Sequence, residues 1–200
     1  MTSAKVKICG LYREEDIHMI NDFCPDYVGF VIHVPKSHRN VTVEQVLQWK
    51  KILAPSIQTV GVFVDENPDL ICQVASVLDV IQLHGSEGEG ALEGLRKRLP
   101  DKEFWKAFAV KTTEDVAAAL SFPADKILLD YGKGEGKSFD WHILKKILAP
   151  YILAGGITPE NVKEAISLAN PEIIDLSSGV ETNKVKDPEK IKQLLKEMKR

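Results

Sequence analysis

Cysteine is scarce in this chain of 200 residues. The three that occur, Cys9, Cys24 and Cys72, are an odd number, and no two of them have the CxxC spacing. A disulfide framework would need pairs of cysteines, and a zinc site would need closely spaced ligands. We therefore expect neither kind of cross-link.

Long apolar runs and an excess of one charge are also absent. No apolar run approaches the roughly 20 residues that span a membrane, and the N-terminal segment MTSAK has no apolar signal core. The formal net charge of -3 offers no attraction to nucleic acid or to an anionic membrane. We expect a cytoplasmic protein with neither of these partners.

What the chain does have is a regular alternation. Its 44% hydrophobic and 28% charged residues are typical of a globular protein, and we expect residues 1–200 to form one domain. Eight short runs rich in valine, isoleucine and leucine begin 21 to 32 residues apart. Most are continuous, as in parallel strands that are buried on both faces. They begin near Val6, Tyr27, Thr59, Val80, Glu103, Lys126, Tyr151 and Ile173.

Amphipathic stretches with helix-start signals separate these runs. Thr42 and Gln45 have the spacing of a capping box, and Asn67 and Asp187 each precede a proline that suits a first helical turn. Eight strand–helix units predict a small (β/α)8 barrel, the TIM barrel. The rival fold is an open doubly wound sheet, which usually has fewer strands and whose GxGxxG motif is missing after the first strand.

Two segments near the C-terminus end abruptly in small residues: 151–159 (YILAGGITP) and 173–181 (IIDLSSGVE). Glycine and serine let backbone N–H groups approach a ligand closely, and consecutive strand ends of a barrel bind phosphate in this way. Thr158 and Pro159 are expected to cap and begin a helix whose N-terminus adds positive partial charge. One Gly-Gly alone also occurs in tight turns, but two such ends in tandem favour a phosphorylated small molecule as ligand.

The first strand ends in residues 5–10 (KVKICG), which places Cys9 at the mouth of the predicted barrel. Lys7 lies two residues earlier, faces the same side of the strand and is expected to favour the thiolate of Cys9. A cysteine in an apolar run is also commonly a buried structural residue. The residues alone leave both roles of Cys9 open.

Two further strand ends carry polar side chains. Residues 35–40 (PKSHRN) include Arg39, whose planar fork suits a carboxylate, although a solvated loop has the same composition. Residues 80–85 (VIQLHG) include Gln82 and His84, which are two apart and both point into the predicted barrel. Buried polar side chains are costly unless they are used or paired. His84 is therefore either catalytic or a hydrogen-bonded structural histidine.

The sixth strand ends in Asp130, which precedes the glycine-rich residues 132–136 (GKGEG). A lone buried carboxylate is costly, and burial would favour its protonated form and suit it to general acid catalysis. The glycines predict a mobile lid or another phosphate contact, with Gly134 as a candidate substrate contact. Asp175, also near a strand end, is expected to orient the phosphate-binding loop.

Taken in chain order, these segments resemble the phosphoribosylanthranilate isomerase family of tryptophan biosynthesis. The resemblance covers nearly the whole chain, and its most specific parts are residues 7–10 (KICG) and 177–181 (SSGVE). Tyr12 stands where the family usually has threonine, the usual Pro-Gly after Glu181 is missing, and the loop after the sixth strand is short. The other matching segments are 37–39 (SHR), 62–64 (VFV), 82–85 (QLHG), 129–130 (LD), 139–141 (FDW) and 154–156 (AGG).

The resemblance implies an Amadori rearrangement of N-(5-phosphoribosyl)anthranilate to 1-(2-carboxyphenylamino)-1-deoxyribulose 5-phosphate. It implies that Asp130 protonates the furanose oxygen, that Cys9 removes the sugar C2 proton and that Arg39 receives the anthranilate carboxylate. No metal or organic cofactor is implied, and we expect a monomer or a homodimer. The implied phosphate-binding residues are Gly155, Gly156, Ser178 and Gly179, and further candidate substrate contacts are Lys7, Gln82, His84 and Gly134.

Three rival functions differ at the strand ends. A sugar-phosphate isomerase of histidine biosynthesis performs the same rearrangement, but it resembles a barrel with an acid where Cys9 stands. A metal-dependent pentose-phosphate epimerase would need acidic partners at strand ends for His33 and His84. A phosphate-binding regulator without activity would have no need of Cys9 and Asp130.

Overall fold

The structure, a computed structural model, describes residues 4–131, 141–145 and 147–198. The strands are β1 (Lys5–Cys9), β2 (Tyr27–Ile32), β3 (Asn40–Val41), β4 (Gln58–Phe63), β5 (Val80–Leu83), β6 (Glu103–Ala109), β7 (Lys126–Asp130), β8 (Ile152–Ala154), β9 (Ile173–Leu176), β10 (Glu181–Thr182) and β11 (Val185–Lys186). The α-helices are α1 (Glu14–Phe23), α2 (Val43–Trp49), α3 (Pro68–Val74), α4 (Glu89–Arg98), α5 (Thr113–Leu120), α6 (Val162–Ala169) and α7 (Pro188–Met198). Among these helices, none is long and apolar enough to cross a membrane.

Eight strands close into a parallel barrel. Their order is β1-β9-β8-β7-β6-β5-β4-β2, and β2 pairs with β1 to complete the ring. The short β3 adds to the end of β2, while β10 and β11 form a separate antiparallel hairpin. The pairing of β1 with β2 confirms the predicted (β/α)8 barrel, because an open sheet would leave two edges unpaired.

Two apolar layers stabilise the barrel. The outer layer lies between the strands and the helices, where the rings of Phe30 and Trp49 are 6.0 Å apart. The inner layer fills the barrel, as is usual for this fold, and the rings of Tyr27 and Trp105 meet edge to face at 5.1 Å within it. The inner layer consists of Cys9, Tyr27, Val60, Val62, Val80, Trp105, Ala107, Leu128, Ile152, Ala154 and Ile173.

The helix-start signals hold at three of four positions. Thr42 and Gln45 form the predicted capping box of α2, and α3 and α7 begin at the prolines after Asn67 and Asp187. The predicted start at Thr158 is wrong, because α6 begins only at Val162.

A turn replaces the predicted first turn of that helix. The Thr158 N–H donates to Asn161 Oδ1 at 2.8 Å, and Asn161 Nδ2 donates to the Gly156 carbonyl at 3.0 Å. The Asn161 side chain thereby closes the chain back on Gly156, so the helix begins after it.

The connection between β7 and β8 is described at residue 131, at residues 141–145 and from residue 147 onward. Its described residues contain a 3₁₀-helix, Trp141–Leu144, where an α-helix is predicted. The predicted lid at 132–136, including Gly134, lies outside the described residues.

Candidate active site

A cavity of about 360 Å³ opens at the C-terminal ends of the barrel strands. Barrel enzymes carry their active sites at this end, and pockets for small molecules have volumes of this order. The cavity brings together most of the residues that the sequence singles out. Its polar and glycine lining consists of Ser37, Arg39, Gln82, His84, Asp130, Gly155, Gly156, Asp175, Ser177, Ser178 and Gly179, together with Cys9.

Cys9 is the last residue of β1 and is 9% exposed at the floor of the cavity. Glycine neighbours make room for it. A Cβ at Gly29, on the adjacent β2, would lie 2.7 Å from Cys9 Sγ, and a Cβ at Gly10 would lie 2.2 Å from Arg39 Cδ. Gly10 also has a φ of +79°, which suits glycine. Gly29 therefore leaves room for the Cys9 thiol and Gly10 leaves room for the Arg39 side chain, so that both groups reach the same cavity.

Lys7 lies beneath Cys9, fully buried. Its Nζ donates to Gln82 Oε1 at 2.9 Å and to Asp175 Oδ2 at 2.8 Å. Burial lowers the pKa of Lys7, but the charge of Asp175 and the hydrogen bond to it act in the opposite direction, and the net pKa is raised. Lys7 is thus a buried cation held by an amide oxygen and a carboxylate.

The net effect on Cys9 differs from the prediction. Burial raises the pKa of the Cys9 thiol, and Asp175 raises it further. Lys7 and Lys186 lower it, as expected of nearby cations, but they do not outweigh burial. In this structure the thiol form of Cys9 is favoured. Lys7 nevertheless supplies the positive charge that a thiolate would need.

Gln82 and His84 point into the barrel, as predicted from their spacing. Gln82 is 1% exposed, and its Nε2 lies 3.0 Å from His84 Nδ1. The other ring nitrogen of His84, Nε2, lies 3.8 Å from Asp130 Oδ2. Burial lowers the pKa of His84, which keeps the ring neutral near physiological pH. Both residues are hydrogen-bonded in a chain that runs from Lys7 towards Asp130.

Asp130 ends β7 and lines the cavity opposite Cys9. Its side chain is 29% exposed, in keeping with the expectation that this carboxyl group is not core filler, and its burial is only partial. A strand-end residue lies at the mouth of the barrel, where the open cavity lets solvent reach it. Asp130 is therefore positioned to meet a bound ligand rather than to fill the core.

Arg39 is held by a partner that the sequence does not suggest. Its Nε and Nη2 donate to Oε1 and Oε2 of Glu181, each at 2.7 Å. Lys186, buried on β11, also donates to Glu181 Oε1 at 2.7 Å. Despite its own burial, Glu181 has a lowered pKa because Arg39 and Lys186 hydrogen-bond it. The pair places a fixed guanidinium at the wall of the cavity.

The two glycine-containing segments lie side by side at the cavity. Gly155 and Gly156 have φ of +91° and +67°, and Ser178 and Gly179 belong to a 3₁₀-helix, Ser178–Val180. A Cβ at Gly179 would lie 1.8 Å from the carbonyl oxygen of Ile157. Only glycine allows this approach. The segments that the sequence predicts to share a phosphate are therefore in contact.

Asp175 does not orient these segments. Its Oδ2 accepts from Lys7, and its Oδ1 is buried without a hydrogen-bond partner among the described residues. The side chain points to the barrel interior, because Ile174 and Leu176 on either side of it in β9 pack in the outer apolar layer. The predicted role of Asp175 is therefore replaced by an ion pair with Lys7.

Three residues of the site are not predicted from the sequence. Ser177 lines the cavity, while Glu181 and Lys186 hold Arg39 in place. Glu181 and Ser177 lie in the SSGVE segment, which is the signal that points to them. Lys186 has no local signal, since its partner is recognisable only when the β10–β11 hairpin is formed. Within the described parts of the chain, no group of histidine, cysteine and acidic residues is arranged to hold a metal ion.

The fold and the site have the make-up of a (β/α)8-barrel enzyme that acts on a small molecule by acid–base chemistry. The profile of the family described as N-(5'phosphoribosyl)anthranilate (PRA) isomerase matches residues 6–197. An N-(5'-phosphoribosyl)anthranilate isomerase of Clostridium kluyveri is 44% identical over 200 residues, covering 98% of each chain.

Solved structures agree with the sequence relatives. The crystal structure of phosphoribosyl anthranilate isomerase from Thermotoga maritima superposes with a TM-score of 0.86 at 34% identity, over 98% of each chain. A crystal structure of phosphoribosyl anthranilate isomerase in complex with reduced 1-(o-carboxyphenylamino)-1-deoxyribulose 5-phosphate gives a TM-score of 0.84 at 34% identity, with the same coverage. This chain belongs to the phosphoribosylanthranilate isomerase family.

Proposed function

We propose that this protein is a phosphoribosylanthranilate isomerase of tryptophan biosynthesis. It converts N-(5-phosphoribosyl)anthranilate to 1-(2-carboxyphenylamino)-1-deoxyribulose 5-phosphate, an aldose-to-ketose rearrangement within one molecule. The observation that carries the proposal is the convergence of Cys9, Asp130 and two glycine-containing strand ends on one cavity of a chain from this family.

Asp130 is the proposed general acid. It donates a proton to the furanose ring oxygen, the C1–O bond breaks, and the anthranilate nitrogen forms a Schiff base with C1. Its position at the open mouth suits this step, because the acid must reach an atom of the bound sugar. The iminium accepts the electron pair released in the next step, so the reaction needs neither a metal nor an organic cofactor.

Cys9 is the proposed general base. It removes the proton from C2 of the opened sugar to give an enolamine, which tautomerises to the ketone. The buried thiol must first lose its own proton, and Lys7 and Lys186 are the cations that favour this loss against burial. Acid and base lie on separate strands, β7 and β1, so each can act on its own atom of the sugar.

Arg39 is the proposed site of the anthranilate carboxylate. The pair with Glu181 uses one N–H of Nε and one of Nη2, which leaves three of the five guanidinium donors for the substrate. Gly155, Gly156, Ser178 and Gly179 are proposed to bind the phosphate through backbone N–H groups. We also propose that residues 1–200 form one cytoplasmic domain, active as a monomer or a homodimer without nucleic-acid or membrane partners.

The proposal is tested by following the loss of anthranilate fluorescence with enzymatically generated phosphoribosylanthranilate. Rapid loss that depends on the protein supports isomerase activity. A second assay offers the aminoaldose substrate of the corresponding rearrangement in histidine biosynthesis. Turnover of that substrate alone would replace the proposed function by the rival isomerase, and turnover of neither would favour a binding protein.

A further inference from the structure

A polar chain crosses the barrel interior from Lys7 to His84. Lys7 Nζ lies 2.9 Å from Gln82 Oε1, and Gln82 Nε2 lies 3.0 Å from His84 Nδ1. Lys7 is fully buried and Gln82 is 1% exposed. A buried glutamine that joins two titratable side chains cannot be exchanged for an apolar residue without leaving unsatisfied groups behind. Its hydrogen bonds therefore have consequences for both neighbours.

The chemistry of the donors sets the direction of this chain. A lysine ammonium group has three donors and no acceptor, so the oxygen of the Gln82 amide must face Lys7. The amide nitrogen then faces His84 and can only donate. His84 Nδ1 must accept, which means that Nδ1 carries no proton. A neutral imidazole has one proton, so the proton is on Nε2.

We propose that Lys7 and Gln82 act in series as positioning residues that hold His84 in its neutral Nε2–H form, with the Nε2 proton directed at Asp130. His84 Nε2 lies 3.8 Å from Asp130 Oδ2, and catalytic hydrogen bonds often shorten when substrate binds. The consequence for the reaction rests on the proposed function. Once Asp130 has given its proton to the ring oxygen, the His84 N–H stabilises the carboxylate that remains.

The charges around His84 agree with this assignment. Burial disfavours the imidazolium most strongly, and the cations Lys7 on β1 and Lys106 on β6 act in the same direction. Asp130 on β7 and Asp175 on β9 oppose them. The net effect lowers the pKa of His84. Protonation of Nδ1 would also make the Nδ1–H of His84 face the N–H group of the Gln82 amide, so that neither donor would have an acceptor there.

The first test measures the tautomer directly. In ¹⁵N-labelled wild-type protein, long-range ¹H–¹⁵N spectra distinguish protonated from unprotonated ring nitrogens, and the His84 signals are assigned by their loss in His84→Gln. We expect an unprotonated Nδ1 and a protonated Nε2 at neutral pH. A protonated Nδ1 would overturn the proposal. The measurement requires no turnover, so its result does not depend on whether the proposed function is correct.

The second test reverses the hydrogen bond. In Gln82→Glu the carboxylate still accepts from Lys7, but it presents an acceptor to Nδ1 instead of a donor. We expect the single proton of neutral His84 to move from Nε2 to Nδ1, so that Nε2 no longer donates to Asp130. We then expect kcat to fall about 10- to 150-fold with little change in KM, the effect of losing one hydrogen bond to a charged group. Gln58→Glu makes the same change at the exposed start of β4 and is expected to leave both quantities unchanged.

Other outcomes of this comparison are equally decisive. An unchanged tautomer in folded Gln82→Glu would show that Gln82 does not control His84. If that variant fails to fold, Gln82→Met removes the donor while preserving the length of the side chain, and a mixture of both tautomers is then expected. A single Nε2–H tautomer in Gln82→Met would overturn the proposal.

Discussion

The guanidinium of Arg39 forms a two-point ion pair with the carboxylate of Glu181 at the cavity wall. Arg39 Nε and Nη2 each lie 2.7 Å from an oxygen of Glu181, although the residues are 142 positions apart in the chain. Lys186 binds the same carboxylate. The Arg39 side chain therefore has a fixed orientation before substrate binds. It loses less conformational entropy on binding a carboxylate than an unrestrained arginine would.

Replacing Arg39 should weaken substrate binding more than it slows the reaction. The proposed contact is far from the atoms that change bonding, so its loss affects ground and transition states alike. In Arg39→Ala we expect KM to rise more than kcat falls, with a loss in kcat/KM of about 10- to 150-fold. Arg39→Lys should recover only part of this loss, because an ammonium group cannot form the two-point contact. An unchanged KM in Arg39→Ala together with a large rise in Lys36→Ala would assign the carboxylate to Lys36 instead.

Removing the charge of Glu181 should change how stability depends on pH. The pKa of Glu181 is lowered in the folded protein, because the hydrogen bonds from Arg39 and Lys186 outweigh burial. Such a group stabilises the fold above its unfolded pKa, and this contribution is lost as the pH falls through the folded pKa. Glu181→Gln should therefore be less stable than wild type at neutral pH, with a difference that shrinks in acid. Urea unfolding at several pH values measures this.

A matched control separates this effect from a general change in charge. Glu93 is exposed and pairs only with Lys97 one helical turn away among the described contacts. Glu93→Gln should leave the pH dependence of unfolding close to that of wild type. A stability difference between Glu181→Gln and wild type that is constant from neutral to acid pH would contradict the assigned role of Glu181.

Gly179 and Gly156 should both be destabilised by a methyl group, but for different physical reasons. A Cβ at Gly179 would lie 1.8 Å from the Ile157 carbonyl oxygen, whereas one at Gly156 meets nothing within 4 Å. Gly179→Ala should destabilise the fold by about 1–3 kcal/mol through overpacking. Gly156→Ala should cost about 1–2 kcal/mol, because its φ of +67° is unfavourable for alanine. Equal urea midpoints for Gly179→Ala and wild type would contradict the close approach.

The phosphate assignment predicts competition by inorganic phosphate. If backbone N–H groups of the two glycine-containing segments bind the substrate phosphate, free phosphate should inhibit wild-type turnover competitively. Gly156→Val directs its bulk into the open space beside Gly156 and should weaken both phosphate inhibition and substrate binding, with circular dichroism as the check on folding. Turnover that is not inhibited at high phosphate concentrations would contradict the proposed phosphate site.

The barrel could be predicted from the sequence because its signals are local. Most barrel strands coincide with continuous apolar runs, and the caps at Thr42, Asn67 and Asp187 lie within a few residues of the helices that they start. The start of α6 could not be predicted in the same way. Thr158 and Pro159 have the composition of a helix start, but the Asn161 side chain closes a turn onto Gly156 first.

The position of a candidate side chain at the cavity was predictable where it ends a strand, as with Cys9 and Asp130. It was not predictable where the function depends on a partner far away in the chain. Neither the pairing of Arg39 with Glu181 nor that of Lys7 with Asp175 leaves a periodic pattern. Arg39 lies in the loop before β3 and Glu181 on the separate β10–β11 hairpin, while Lys7 and Asp175 lie on β1 and β9 of the barrel. The exposure of Asp130 likewise depends on the open cavity beside it.

The most direct test of the account is the turnover of Cys9→Ala and Asp130→Asn with phosphoribosylanthranilate, followed by fluorescence. General acid and base groups each contribute about 10²–10⁴-fold, so kcat should fall by at least that order in each variant while circular dichroism shows a folded protein. Cys72→Ala, in α3, and Asp101→Asn, at an exposed position, make the same changes outside the cavity and should retain wild-type turnover. Near-normal turnover in folded Cys9→Ala or Asp130→Asn would contradict the account.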